Sequence, residues 1–269
     1  MPSPDVALTA AEPLVRSERN GKLATLTLNR GDRFNPLSSA MIVALQKQLD
    51  ELAADASVAV VVLAAEGRGF CAGHDLKEMR AHAGDVDWQR RLFDDCSRMM
   101  MRLTELPQPV IARVHGIATA AGCQLVSMCD LAVAADSATF ALPGVNIGVF
   151  CSTPAVGVAR NIGRKHAMEL LLTGTPIDAR TALEWGLVNR VVPAAELDAE
   201  VQRFADVILA RSPATIRMGK STFYQQIERP LAAAYDLAGE TMACNMSIDD
   251  AAEGLDAFLQ KRPATWRGR

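Results

Sequence analysis

Apolar residues alternate with polar ones or form short runs in the first half of the chain, and these patterns predict strands. Residues 23–28 (LATLTL) alternate in side-chain type, as half-buried strands do. Residues 57–65 (SVAVVVLAA) are apolar on both faces, which is typical of a buried parallel strand. Residues 110–114 predict a further strand, and the two prolines before it are expected to end a helix over residues 88–106.

Helical spacing of apolar side chains appears between the first two of these strands. Leu45, Leu49 and Leu52 recur every three or four residues and form one apolar stripe. Ser38 or Ser39 is expected to cap this helix, because a serine side chain accepts a hydrogen bond from a free N–H of the first turn.

The second half of the chain changes from mixed structure to helices. Residues 131–134 and 138–142 predict short strands, and residues 187–192 interrupt helical segments that begin near Thr153. Four helices are then predicted, over residues 197–210, 213–226, 231–246 and 249–261. This order predicts an α/β fold, with a core of residues 1–195 and a helical C-terminal region of residues 196–269.

Composition narrows the class of protein. With 49% hydrophobic and 22% charged residues, the 269-residue chain can bury a large core and is not expected to be disordered. The net charge of −3 excludes a nucleic-acid binder that acts through charge alone. No apolar run approaches the ~18 residues of a membrane span, and residues 1–13 lack the features of a secretion signal.

The six cysteines give no sign of a disulfide framework or a metal site. They are scattered, with no CxxC pair and no Cys/His ligand spacing. Reduced thiols and no bound metal are therefore expected. Together with the composition, this predicts a cytoplasmic enzyme or ligand carrier with neither nucleic acid nor membrane as a partner.

Two loops built from small residues are candidates for chemistry. They are residues 69–76 (GFCAGHDL) and 116–124 (GIATAAGCQ), and each follows a predicted buried strand. Small side chains let a ligand approach the backbone, and a helix that follows directs unpaired N–H groups at it. Two such donors on one oxygen form an oxyanion hole. The alternative is that glycine and alanine only allow close packing of helices and strands.

Four segments carry a more specific signal: LNRGDRFNPLS (28–38), GFCAGHDLKEM (69–79), VHGIATAAGCQLVSMCDLAVAADSATF (114–140) and TGTPIDARTALEWGLVNRVV (173–192). In order and spacing they resemble the enoyl-CoA hydratase/isomerase (crotonase) family, over essentially the whole chain. The resemblance implies a ClpP/crotonase-like fold, a spiral core of ββα units with a helical C-terminal trimerisation segment. The implied assembly is a homotrimer or a dimer of trimers.

The resemblance also implies an acyl-CoA thioester as the substrate. The backbone N–H groups of His74 and Ala121 would form an oxyanion hole for its enolate, and Pro143, Gly144 and Phe150 would contact the substrate. The positions implied to contact coenzyme A are Arg33, Phe34, Ala72, Asp75, Leu76, Lys77, Ile117, Phe258 and Lys261. Coenzyme A enters as part of the substrate, and no separate cofactor is expected.

Two departures from the family pattern bear on the reaction. Hydration needs a positioned water and a proton donor, which the family supplies with two glutamates. The matching positions hold Gln124 and Gly144. Gln124 stays a catalytic candidate because an amide orients water, but it cannot take the proton. One general acid or base contributes typically 10²–10⁴-fold to the rate, so hydration is expected to be weak or absent.

Histidines are the natural substitutes for the missing carboxylates. The His74 imidazole titrates near neutrality and is the best candidate, and the alternative is that only the backbone of His74 matters. Asp75 is expected to cap the helix that follows it. His115 is expected to have a structural role, and His82 and His166 are expected to be solvated.

The residues leave several functions open. The family implies an enoyl-CoA hydratase-like lyase. GHDL (73–76) and GVNIGVF (144–150) also resemble methylmalonyl-CoA decarboxylase, in which departure of CO₂ generates the enolate without a strong base. The same pattern resembles a subgroup known only as hydratase-domain-containing proteins. A further alternative is a pseudoenzyme that binds acyl-CoA without turnover.

Overall fold

The structure is a computed structural model and describes residues 12–269. The prediction that the chain lacks a secretion signal concerns mainly residues 1–11, which lie outside the described residues. The described strands are β1 (Val15–Asn20), β2 (Leu23–Leu28), β3 (Val60–Ala65), β4 (Gly69–Cys71), β5 (Val110–Val114), β6 (Ile117–Thr119), β7 (Leu131–Ala135), β8 (Thr139–Ala141), β9 (Ile177–Asp178) and β10 (Arg190–Val192). The described helices are α1 (Ser39–Ala53), α2 (Leu76–Ala81), α3 (Val86–Glu105), α4 (Ala121–Met128), α5 (Ser152–Asn161), α6 (Arg164–Thr173), α7 (Ala179–Trp185), α8 (Leu197–Leu209), α9 (Pro213–Gln226), α10 (Leu231–Met246) and α11 (Asp249–Leu259).

The strands form two sheets that the chain visits in turn. The larger sheet has the order β1-β2-β3-β5-β7-β10 and is parallel except for the β1–β2 hairpin. The smaller sheet has the order β4-β6-β8-β9, with β9 antiparallel to β8. Three successive pairs, β3–β4, β5–β6 and β7–β8, each contribute one strand to each sheet. This repeat confirms the α/β spiral core that the sequence predicts.

Helices cover both faces of the larger sheet. On one face α1 and α3 pack through Leu45 and Met99 against Leu26, and all three side chains are fully buried. On the other face α8 packs through Leu197 and Val201. Because each fully buried aliphatic side chain contributes roughly 1.5–3 kcal/mol, these two layers stabilise the larger sheet.

Most of the predicted elements are confirmed. Ser38 caps α1, since its hydroxyl oxygen accepts a hydrogen bond from the N–H of Met41. The four predicted C-terminal helices are α8–α11, of which the last ends at Leu259. Strand β1 was missed because polar residues cover most of this exposed edge strand. Strands β4 and β6 were predicted as loops, because strands of three residues are too short to show a periodicity and their pairing is non-local.

A buried ion pair joins the C-terminal helices to the core. On α9, Lys220 donates hydrogen bonds to Asp130 at 2.6 Å and to the carbonyl groups of Leu103 and Gln108, both at 2.9 Å. The hydroxyl of Tyr224 donates to the second oxygen of Asp130 at 2.9 Å.

The predicted boundary between core and C-terminal region falls where the described strands end, at residue 192, and only helices follow. The first of these helices, α8, nevertheless packs on the larger sheet. The division between residues 195 and 196 stays a prediction.

Helices α9–α11 present apolar side chains on the outer surface. Phe223, Leu231, Tyr235, Met242 and Phe258 are each more than half exposed. Exposed apolar patches of this kind are typical of surfaces that contact another protein. None of the helices within residues 12–269 is long and apolar enough to cross a membrane.

Candidate active site

A cavity of about 420 Å³ lies at the carboxyl ends of three strands of the smaller sheet. Ala72 follows β4, Ala120 follows β6 and Pro143 follows β8, and all three line it. The first turn of α2, the middle of α3 and residues 146–154 complete the walls. The fold thus brings the two small-residue loops of the sequence to one cavity.

Backbone pairing fixes the loop of His74 at the cavity wall. The N–H of Leu37 donates to the carbonyl of Gly73 at 2.8 Å, and the N–H of Asp75 donates to the carbonyl of Leu37 at 3.4 Å. The N–H of His74, between them, has no acceptor among the described residues. A fixed and unpaired N–H at a cavity wall is what an oxyanion donor requires.

The imidazole of His74 is held in one tautomer. Nδ1 lies 3.3 Å from the carbonyl oxygen of Leu37, which can only accept, so Nδ1 carries the proton. The ring meets the ring of Phe93 edge-on, with 5.3 Å between centroids. Burial lowers the pKa of His74 below its ordinary 6.5, although the bond to Leu37 and the charge of Glu78 oppose this. The side chain is therefore neutral at pH 7, and Nε2 is buried without a partner in the described chain.

The second loop supplies another backbone donor. Helix α4 begins at Ala121, and Ala120 before it has no side-chain group that caps the helix. The N–H of Ala121 consequently has no partner in residues 12–269. A Cβ placed on Gly73 would lie 3.3 Å from this nitrogen, so the loop that carries His74 passes directly beside it. Two unpaired N–H groups thus lie on neighbouring backbone segments of one cavity.

The backbone around Ala121 is tightly constrained. Ala120 has φ 50° and ψ −119°, a conformation that glycine adopts readily and alanine rarely. A Cβ on Gly122 would overlap the carbonyl oxygen of Cys71. Close packing therefore explains the glycine at 122, while the surrounding structure holds Ala120 in a strained conformation where α4 begins. The small residues of this loop therefore serve close packing at position 122 and leave a backbone N–H open to the cavity at position 121.

The two positions that hold glutamates in the family differ in their surroundings. Gln124 lies one turn beyond Ala121, is 4% exposed and is not among the residues that line the cavity. Its Oε1 has no hydrogen-bond partner within the described chain. Gly144 lines the cavity, but a Cβ there would overlap the carbonyl oxygen of Val149 and lie 2.9 Å from Sγ of Cys151. Position 144 has no room for a side chain.

Few groups in the cavity can transfer a proton. His74 and Cys151 are the titratable residues among those that line it in the described chain, and none of the lining residues is acidic. Burial raises the pKa of the Cys151 thiol above its ordinary 9.0. Both side chains are accordingly neutral at pH 7, which leaves backbone N–H groups as the main electrostatic feature.

Some of the residues predicted to contact coenzyme A line the cavity, and the others lie outside its lining. Ala72 and Leu76 line the cavity. Arg33 forms an ion pair with Asp75, with 3.4 Å between Nη2 and Oδ2. Asp75 also caps α2 as predicted, because its carboxylate accepts a hydrogen bond from the N–H of Lys77 at 3.0 Å.

The remaining predicted contacts lie outside the cavity lining. The guanidinium of Arg68 stands over the ring of Phe34, 5.2 Å from its centroid. Lys77 and Ile117 are exposed, and so are Phe258 and Lys261 in the C-terminal region. The single chain does not bring Phe258 and Lys261 to the cavity wall.

Much of the apolar wall was not predicted from the sequence. Met79, Phe93, Ile147, Val149 and Pro154 line the cavity beside the predicted residues. Phe93 lies on α3, and nothing in the helical periodicity indicates that it meets His74. Met79, Ile147 and Val149 belong to segments that the motifs covered, whereas Pro154 lies beyond them, and apolar character was the only available signal for all four.

Two histidines predicted to be solvated are half-buried, each stacked on a tryptophan. The ring of His82 stacks on Trp88 with 4.0 Å between centroids, and that of His166 stacks on Trp185 at 4.2 Å. The tryptophans lie six and nineteen residues further along the chain, so the polar neighbours in sequence gave no hint of them. His115 has the structural role predicted, because its Nε2 lies 2.9 Å from a loop carbonyl oxygen.

Fold and site together define a class of protein: an α/β spiral whose cavity offers backbone donors in place of charged side chains. Comparison with known families agrees with this description. The sequence model described as enoyl-CoA hydratase/isomerase matches residues 18–269. The chain belongs to this family.

Similar proteins span nearly the whole chain. The mouse (Mus musculus) enoyl-CoA hydratase domain-containing protein 3, mitochondrial, is 44% identical over 95% of this chain and 85% of its own. The 2,3-dehydroadipyl-CoA hydratase of Escherichia coli K12 is 32% identical over 93% of this chain and 97% of its own. A crystal structure of an enoyl-CoA hydratase from Mycobacterium smegmatis has a TM-score of 0.93 at 53% identity, covering 95% of this chain and 99% of that one.

The cytoplasmic location predicted from the sequence is wrong by this comparison. The mouse relative and the human protein of the same name, also 44% identical, are mitochondrial proteins by name. The prediction rested on reduced cysteines and on the character of residues 1–13. Neither feature distinguishes one reducing compartment from another.

Proposed function

We propose that this chain binds acyl-CoA thioesters and stabilises their enolate form through the backbone N–H groups of His74 and Ala121. The proposal rests on one observation: both N–H groups lie unpaired within the described chain, on adjacent backbone segments of one cavity. Hydrogen bonds to an oxygen strengthen as negative charge develops on it, so such donors favour the enolate over the thioester. Membership of the family supports a thioester as the ligand.

We propose that the coenzyme A portion binds to exposed side chains near the loop of His74 and in the C-terminal region. Arg33 and Lys77 would meet the phosphates, and Phe258 and Lys261 the adenine and phosphates. Arg33 already pairs with Asp75, and the lysines are exposed. Solvent screens these exposed charges, so each adds little affinity. We therefore expect the acyl portion and the thioester to contribute most of the binding free energy.

Hydration is proposed to be weak or absent. A buried Gln124 outside the cavity lining and a Gly144 without room for a side chain leave no general acid or base at the two family positions. Binding without turnover is the second candidate function, and the absence of acidic side chains among the lining residues of the described chain favours it.

Thermal unfolding with butyryl-CoA and with free coenzyme A tests the binding proposal. A ligand at 100 times its dissociation constant stabilises a protein by about 2.7 kcal/mol, so a thioester that occupies the site raises Tm by several degrees. We expect a larger rise with butyryl-CoA than with free coenzyme A. If no thioester shifts Tm, the site assignment is wrong.

Hydration of crotonyl-CoA separates an enzyme from a binding protein. The matched variants are Gln124→Ala, which removes the amide, and His74→Ala, which removes the imidazole but keeps the N–H. If wild type hydrates crotonyl-CoA no faster than either variant, the chain is not a hydratase, and binding without turnover remains the candidate function. A loss of 100-fold or more in Gln124→Ala would instead show that the amide positions the attacking water.

We also propose a homotrimer or a dimer of trimers, held together by α9–α11. Exposed Leu231, Tyr235 and Met242 on α10 supply the apolar surface that such a contact needs. Light scattering coupled to gel filtration is expected to give the mass of three or six chains. Tyr235→Glu, which places a charge in this surface, is expected to shift the mass toward a single chain.

A further inference from the structure

We propose that the cavity selects neutral, apolar acyl groups and excludes acyl groups that end in a carboxylate. The inference rests on the proposed function, since it names the class of thioester that the same site takes. It separates this chain from relatives such as the 2,3-dehydroadipyl-CoA hydratase of Escherichia coli, whose name specifies an acyl group with a second carboxylate.

Apolar side chains from two segments surround the cavity where it meets solvent. Leu76 begins α2, and Ile147, Val149 and Phe150 lie in the segment before α5. These four lining residues are 46% to 59% exposed. A single exposed apolar side chain is ordinary, but four around one opening form a continuous patch that an alkyl chain would cover.

The inner wall continues the same character. Met79 and Phe93 approach from α2 and α3, Pro143 from the segment after β8, and Pro154 from the first turn of α5. The polar lining residues in the same segment, Asn146, Ser152 and Thr153, are all uncharged. A thioester with a hydrocarbon acyl chain therefore finds apolar contact along its length.

Among the lining residues between 143 and 154, the first turn of α5 is where an anion is expected to bind, because helix N-termini attract negative charge. The chain reduces this attraction in two ways. The N–H of Ser152 donates to the carbonyl of Phe150 at 2.8 Å, and Pro154 has no N–H. Of the first three residues of α5, only Thr153 retains a free N–H within the described chain.

A carboxylate in this cavity would lose its hydration without a charged partner. No lysine or arginine is among the lining residues in the part of the chain that the structure describes, and the one imidazole, His74, is buried and bonded to Leu37. Burial of an unpaired charge is strongly unfavourable. A malonyl-type thioester is disfavoured for the same reason, which argues against the decarboxylase alternative.

Titration calorimetry with matched pairs of thioesters tests the inference. Butyryl-CoA is compared with succinyl-CoA, and hexanoyl-CoA with adipoyl-CoA, so that each pair differs only in a terminal carboxylate. We expect the neutral member to bind at least 100-fold more tightly in both pairs. Equal affinities within either pair would overturn the inference while leaving thioester binding intact. Failure of all four to bind more tightly than free coenzyme A would overturn the proposed function and, with it, this inference.

A charge introduced into the wall provides a second test. Val149→Lys places an ammonium group among the lining residues, and Val156→Lys places the same group on α5, at a similarly exposed valine outside the lining. We expect Val149→Lys to narrow the preference for hexanoyl-CoA over adipoyl-CoA at least tenfold and Val156→Lys to leave it unchanged. An unchanged preference in a folded Val149→Lys protein, or the same change in both variants, would contradict the inference.

Discussion

The carbonyl oxygen of Leu37 accepts a hydrogen bond from the imidazole Nδ1 of His74 at 3.3 Å and a second one from the backbone N–H of Asp75 at 3.4 Å. One peptide group of the chain thereby fixes the ring and the backbone of His74 together. The N–H that we assign to the thioester oxygen is positioned by residues that never touch the ligand.

Stability is expected to depend on pH through this histidine. Burial lowers the pKa of His74 in the folded state below its ordinary 6.5. As the pH falls below 6.5, the unfolded chain takes up a proton that the folded chain resists, so the free energy of unfolding decreases until the folded-state pKa is passed. Urea unfolding at pH 7.5 and 5.0 is expected to show a smaller decrease for His74→Gln than for wild type. An identical decrease would mean that His74 is not held neutral.

Removal of one backbone donor is expected to reduce enolate formation without loss of fold. Ala121→Pro deletes the N–H at the first residue of α4, a position where proline fits a helix. Exchange of the α-protons of butyryl-CoA in D₂O, followed by NMR, is expected to slow 10²–10³-fold. Binding of butyryl-CoA is expected to weaken as well, because the proline Cδ takes the place of the amide hydrogen beside the thioester oxygen, so exchange is compared at saturating butyryl-CoA.

His74→Ala is the matched control for this exchange experiment. It removes the imidazole and keeps the N–H, so exchange is expected to persist if the backbone stabilises the enolate and hydroxide from the solvent takes the α-proton. Loss of exchange in His74→Ala, with binding retained, would contradict this and assign proton transfer to Nε2 of the imidazole.

The sequence predicts the parts of this protein that local pattern determines. The parallel strands of the larger sheet and the helices α8–α11 follow from periodicity, and the loop of His74 follows from its motif. The contact of Phe93 with His74 and the lack of space at Gly144 do not. The first is a contact between residues 19 apart in the chain, and the second depends on the turn that brings the carbonyl of Val149 against position 144, which no side-chain pattern indicates.

Strain at the start of α4 is expected to be measurable as lost stability. Ala120 has φ 50° and ψ −119°, and a residue other than glycine in such a region costs of order 1–3 kcal/mol. Ala120→Gly is therefore expected to raise the free energy of unfolding by about 1 kcal/mol, after allowance for the more flexible unfolded chain. Chemical denaturation provides the measurement.

The control for Ala120→Gly is the same exchange at an ordinary helical position. Ala243 is exposed on α10, where replacement by glycine is expected to lower stability by about 1 kcal/mol. Opposite signs for the two variants would establish the strain. A loss of stability in both would show that Ala120 is not strained.

The buried ion pair of α9 is expected to be essential for stability. Lys220→Met removes the partner of Asp130 and leaves a carboxylate in a poorly solvated site, which costs about 3–5 kcal/mol. Lys165→Met, on the exposed surface of α6, is expected to stay within about 0.5 kcal/mol of wild type. If Lys220→Met does not fold, Tyr224→Phe removes one hydrogen bond to Asp130 and is expected to cost about 1 kcal/mol.

Asp250 on α11 connects the C-terminal residues to Ser212, the residue before α9, through hydrogen bonds. Its carboxylate is buried and accepts hydrogen bonds from the hydroxyl of Ser212 at 2.6 Å and from the N–H groups of Arg267 and Gly268 at 2.7 and 2.9 Å. Burial alone would raise the pKa of Asp250, but these hydrogen bonds hold it below its ordinary 3.8. The stabilisation is therefore complete above about pH 4 and is lost as the pH falls through the lowered pKa.

Asp250→Asn is expected to release these residues, because the amide can place only one acceptor oxygen where three donors converge. We expect a loss of about 2 kcal/mol and faster removal of residues 263–269 by carboxypeptidase at pH 7. The neighbouring Asp249→Asn changes the same atoms at an exposed ion pair with Arg269 and should cost at most about 1 kcal/mol. Equal digestion rates for the two variants would show that the buried carboxylate does not hold the C-terminal residues in place.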